Sequence, residues 1–91
     1  MLNKHIPIEE FKKISELTNC KIILFGSRVW SIPKINSDLD IAIISKNSKD
    51  YADAEDMIMN SNCPYIMDIL NLNMLNNEKL KERILTDGFQ I

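Results

Sequence analysis

Apolar and polar residues alternate along this chain with two different periods, and the changes of period mark its elements. Ile8, Phe11, Ile14 and Leu17 recur three apart, with Glu9, Glu10, Lys12, Lys13 and Glu16 between them, which predicts a helix with one dry and one wet face. Pro7 suits its first turn and Asn19 its end. Lys21-Ile22-Ile23-Leu24-Phe25 is a continuous apolar run closed by Gly26, the pattern of a strand covered on both faces. A short helix is expected from the Gly26 turn to about Ile32, stopped by Pro33, with Lys34 to Ser37 as polar loop. Leu39 to Ser45 reads as a second strand, with Asp38, Asp40, Ala42 and Ile44 on one face and Leu39, Ile41 and Ile43 on the other.

The second half repeats the alternation of element types. Tyr51, Ala54, Met57 and Ile58 line one face of a third helix with Asp50 as its N-cap, and Asp53, Glu55 and Asp56 form a solvated opposite face. Ser61-Asn62-Cys63-Pro64 breaks it. Tyr65 to Asn71 is a third strand, with Ile66, Asp68 and Leu70 on one face and enough apolar residues to be central in a sheet. A last helix is expected from Asn77 to Thr86, dry along Leu80, Ile84 and Leu85, and ended by Asp87-Gly88 with the glycine left-handed. Phe89 and Ile91 are expected to return to the core, and Met57, Met59, Met67 and Met74 to act as adaptable filler. The predicted order is α-β-α-β-α-β-α.

Composition narrows what such a chain can do. Its 91 residues predict a single domain spanning 1–91 and one modest core, since a chain this short buries only a little over ~60% of its unfolded surface. At 45% hydrophobic and 26% charged it has the makeup of an ordinary globular domain. Charges interrupt the first twenty positions and no apolar run nears ~18 residues, so neither a signal peptide nor a membrane span is expected and the protein is placed in the cytoplasm. Cys20 and Cys63 lack metal-ligand spacing and read as reduced, packed thiols. A net charge of -2 argues against long nucleic acid as a partner, because a phosphate-binding face needs clustered Lys and Arg. His5 precedes the first helix and is given no role.

Chemistry concentrates between Gly26 and Asp40. Gly26-Ser27-Arg28 follows a strand, where Gly26 lets the chain turn and a ligand approach, Ser27 offers a hydroxyl, Arg28 a charged fork, and a helix start offers free N–H groups to phosphate. The alternative is a plain strand-to-helix turn capped by serine. Trp30 in the same piece packs across a helix or offers a stacking surface. Asp38 and Asp40 lie on one side of a strand, about 6 to 7 Å apart. Carboxylates so placed repel one another and suit hard divalent cations, two of which, about 3.5 to 4 Å apart, can clamp a phosphoryl centre. The alternative is a solvated acidic strand start. Asp68 is costly in an apolar strand unless paired or metal-bound, and beside the second strand it converges with the other two and can take a proton from an acceptor hydroxyl. Its alternative is an exposed edge position.

The joint pattern Gly26-Ser27, ten residues, Asp38-Leu39-Asp40 is expected by chance in on the order of one chain per thousand of this length. With Asp68 downstream, the chain resembles the minimal nucleotidyltransferase (MNT) domain of the DNA-polymerase-β-like superfamily along essentially its whole length. The resemblance implies an α/β (α+β) fold with a small mixed sheet of about three strands flanked by helices. It implies two magnesium ions on Asp38 and Asp40, Asp68 as third catalytic carboxylate and metal ligand, and Gly26, Ser27 and Arg28 against the triphosphate of ATP. Domains this short resemble the antitoxins of HEPN/MNT toxin-antitoxin pairs, which implies transfer of AMP to a tyrosine of a HEPN-type RNase toxin encoded alongside, in a hetero-oligomer. Such a chain leaves little surface for an acceptor pocket, so a second chain is expected to present the acceptor. Members commonly continue Gly-Ser-Arg with small residues and glycine, where this chain has Val29-Trp30-Ser31. Two other readings stay open: a non-catalytic antitoxin acting by occlusion, and nucleotidyl transfer to a small molecule or RNA end.

Overall fold

A computed structural model describes residues 5–26, 29 and 38–91. Helix α1 (Ile8–Thr18) leads into strand β1 (Lys21–Phe25); after the connection come β2 (Leu39–Ile44), α2 (Ser48–Met59) and β3 (Met67–Asn71). A 3-10 turn (Leu72–Met74), α3 (Glu78–Asp87) and a two-residue strand β4 (Phe89–Gln90) complete the described elements. The sheet order is β3-β2-β1-β4. β1 pairs antiparallel with β2 and β4, whereas β2 and β3 run parallel, which needs the crossover that α2 supplies. The fold is thus mixed α/β, with a fourth strand beyond the three expected. Of the helix expected from Gly26 to Ile32 only Gly26 and Val29 lie among the described residues, and the Val29 N–H donates to the Gly26 carbonyl at 3.0 Å.

The period-2 pattern of β1 and β2 divides the interior in two. Ile22, Leu24, Leu39, Ile41 and Ile43 pack with Phe11 and Ile14 of α1 and Ala54 and Ile58 of α2. Ile23, Phe25 and Ala42 face the other way, against Leu72 and Ile84. All of these are buried, so β1 and β2 are sandwiched, and fully burying each large side chain contributes about 1.5 to 3 kcal/mol.

The helices depart from their sequence readings in instructive ways. Leu17 is 68% exposed and Thr18 is buried instead, its hydroxyl donating to the Ile14 carbonyl at 2.7 Å. A three-residue repeat falls about 60° short of a full turn at each step, so by Leu17 it has drifted to the far side from Ile8. Asn19 does end α1, in the left-handed region at φ 56°, which asparagine tolerates. The N-cap of α2 is Asn47, not Asp50: its side chain accepts from the Asp50 N–H at 2.8 Å, so Asp50 is inside the first turn. Cys20 is buried and Cys63 half-buried, and neither forms a disulfide. Met57, Met59 and Met74 are exposed rather than filling the core.

Leu85 is 55% exposed, because it stands about 140° round the helix from Leu80. Gly88 is extended, at φ -71° and ψ 158°, not left-handed. Its need for glycine is steric: a Cβ there would overlap the Ile84 carbonyl oxygen and come 2.5 Å from Ile23 Cγ2. The chain then continues as β4 beside β1, with Ile91 packed against the core while Phe89 stays largely exposed.

These contacts make two predictions. Gly88→Ala and Gly88→Asn should both lower stability in urea denaturation by about 1 to 3 kcal/mol; at a left-handed cap, asparagine would be tolerated. Tyr51 donates to Glu55 Oε2 at 2.8 Å, and partial burial followed by that carboxylate pushes its phenol up to about 12. Phenolate absorbance should therefore show a late component near pH 12 that Tyr51→Phe removes.

Candidate active site

Strand register brings two of the three expected carboxylates together. In the parallel pair Asp40 of β2 stands directly opposite Asp68 of β3, with backbones about 4.8 Å apart and both side chains on one face. On the other side of β2, Asp40 is paired with Phe25, the buried last residue of β1. Asp38 lies just before β2 and is exposed, and Asp40 is half-buried. The sheet thus sets Asp40 between an aromatic ring position and a second carboxylate, at the end of an otherwise apolar strand.

Asp68 sits differently from the reading that placed it in a central strand. Among the described residues β3 has a neighbour only on its β2 side, and Asp68 is exposed. Solvent on the open side removes the burial cost that made a partner necessary. Its proximity to Asp40 comes instead from the register.

The electrostatics follow from this placement. The Asp40 carboxyl is held above its ordinary range, first by burial and then by the charges of Asp68 and Asp38. Among the described residues no Lys, Arg or His forms an ion pair with any of the three. Gly26 has φ 83°, a conformation that glycine adopts readily, and the space beside it is taken by the Asp40 carboxylate. Ser27, Arg28 and Trp30 lie outside the described residues.

The donor set fits a hard cation in an open site. Among the described residues no three Asp, Glu, His or Cys side chains are gathered closely enough to hold an ion by themselves. Magnesium is ordinarily held by one or two carboxylates with water and substrate phosphate oxygens completing its shell, not by an all-protein cage. Asp40 with Asp68 at its side and Asp38 within electrostatic reach suits that arrangement. The pairing of Phe25 with Asp40 is not legible in the sequence, because no local pattern joins positions 25 and 40; only the β1–β2 register does.

The model of the polymerase beta nucleotidyltransferase family matches residues 9–91, and the chain belongs to that family. Its fold is thus that of a nucleotidyltransferase, a domain whose chemistry is nucleotidyl transfer. No curated protein matches the chain. No helix among the described residues is long and apolar enough to cross a membrane.

A raised carboxyl pKa means that the ionised form is disfavoured in the folded state, so stability is fully present below the unfolded value of 3.8 and falls as pH rises through the folded value. Asp40→Asn should therefore raise the thermal midpoint of the metal-free protein at pH 7, and the gain should shrink as the pH is lowered toward 3.8.

Proposed function

We propose that this chain is a minimal nucleotidyltransferase of the antitoxin kind, transferring AMP from ATP to a tyrosine hydroxyl of a HEPN-type RNase toxin in the cytoplasm and so silencing it. The observation that carries the reading is the register of Asp40 against Asp68 beside the Gly26 turn. The specific acceptor and partner rest on the resemblance of the Gly26-Ser27 and Asp38-Leu39-Asp40 spacing to that group. Exposure of Asp38 and Asp68 supports an acceptor carried by another macromolecule.

The residues divide the work. Asp38 and Asp40, with Asp68, would hold two magnesium ions, which when bound neutralise charge on the phosphoryl oxygens. Gly26, Ser27 and Arg28 grip the triphosphate, through backbone N–H, hydroxyl and guanidinium. Asp68, exposed on the open edge, receives the proton of the incoming phenol. The bond formed joins the phenol oxygen to the α-phosphorus, the bond broken is that between the α-phosphorus and the bridging oxygen, and pyrophosphate departs. The chain's contribution is positioning and charge neutralisation.

Incubation with magnesium, ATP labelled at the α-phosphate and the neighbour-encoded partner should label the partner. Asp68→Asn should slow labelling about 10²- to 10⁴-fold, the usual range for loss of a positioned base, and Asp38→Asn with Asp40→Asn should abolish it. Labelling that survives the double substitution sinks the assignment, and full neutralisation of the toxin by that double variant would establish occlusion instead.

A further inference from the structure

A side chain at position 26 would compete with Asp40 for the same space. A Cβ on Gly26 would overlap Asp40 Oδ2 outright, and would lie 2.9 Å from Asp40 Cγ and 3.1 Å from its Cβ. Neither backbone can easily withdraw, because the residue before Gly26 is locked opposite Asp40 in the β1–β2 ladder. The vacancy at Gly26 is therefore a slot, and the carboxylate lies in it. Asp40 also has carboxylates as neighbours, Asp68 across the strand and Asp38 two residues back, and no cation among the described residues holds it in place by an ion pair.

We infer that Gly26 is a positioning residue for Asp40: its missing side chain admits Oδ2 and selects the rotamer in which the carboxylate leans across the strand end onto the turn. The sequence assigns glycine here to the turn and to the approach of phosphate. The structure adds a third requirement, on the acidic side of the site, which a left-handed residue with a short side chain such as asparagine would not meet. The geometric part stands alone; only its bearing on metal binding rests on the proposed nucleotidyltransferase reading.

Three measurements on the full chain test this. The three-bond coupling between backbone nitrogen and Cγ, which reports the Asp40 χ1 rotamer by NMR, should change in metal-free Gly26→Ala. In a thermal-denaturation cycle, Gly26→Ala should lower the midpoint at least about twice as far in the natural background as in Asp40→Ala, where the overlapping atoms are gone. Failure of Gly26→Ala to fold, with recovery in the Asp40→Ala background, supports the inference equally. Affinity for Mn²⁺ in the presence of ATP should fall at least about tenfold in a folded Gly26→Ala, as for loss of a group that orients a ligand. An unchanged Asp40 rotamer, or an equal midpoint loss in both backgrounds, overturns the inference. A natural chain that binds no Mn²⁺ with ATP overturns the metal reading instead, and the coupling and the cycle still decide the role of Gly26.

Discussion

The pairing of β2 with a strand on each side is the constraint from which both core and site follow. Hydrogen bonding to β1 and β3 fixes which residues of β2 lie across from which neighbours, and alternation fixes which face each takes. A one-residue slip would turn Leu39, Ile41 and Ile43 out of the interior formed with α1 and α2, and would carry Asp40 to the opposite face from Asp68. The burial of three large side chains therefore guards the placement of one carboxylate. The geometry of the candidate site is enforced by the hydrophobic effect acting on the odd-numbered positions of the same strand.

The same strand carries the conflict between stability and chemistry. Its acidic end places Asp40 where burial and two neighbouring charges all oppose ionisation. An apolar or amide residue would serve the fold better. A positive ligand reverses the balance, because the charges that repel one another in its absence all attract it. Asp38 and Asp68 remain exposed, which keeps the repulsion screened by water.

Where sequence and structure agree, the local signal was strong. β1 has the bounds of its apolar run from Lys21 to Phe25, and Asn77 marks the start of α3, its side chain accepting from the Leu80 N–H at 3.1 Å. Where they differ, the missing information was three-dimensional or angular. Leu17 and Leu85 look dry by spacing but turn outward once the 3.6-residue period is followed. The left-handed reading of Gly88 failed because the chain continues straight into β4, a strand too short to have a pattern of its own. Residue type and strand parity single out Asp38, Asp40 and Asp68 as candidates, yet the register that sets Asp40 opposite Asp68 depends on a strand order that no stretch of sequence encodes. Asp68 was placed in an interior strand for its apolar neighbours, and an edge strand with one covered face has the same composition.

That edge location gives Asp68 a second consequence. β3 presents Met67, Ile69 and Leu70 along a strand whose outer hydrogen-bonding side has no neighbour in the described sheet, and such a strand is a template for addition of another chain. Asp68 is its one charged residue. In parallel, in-register copies of β3, like charges would meet at every layer, and a charge on such an edge is the kind of residue that opposes strand-on-strand aggregation. Neutralising it would remove that charge from the edge, which makes the association state of an Asp68 variant inseparable from the interpretation of its activity.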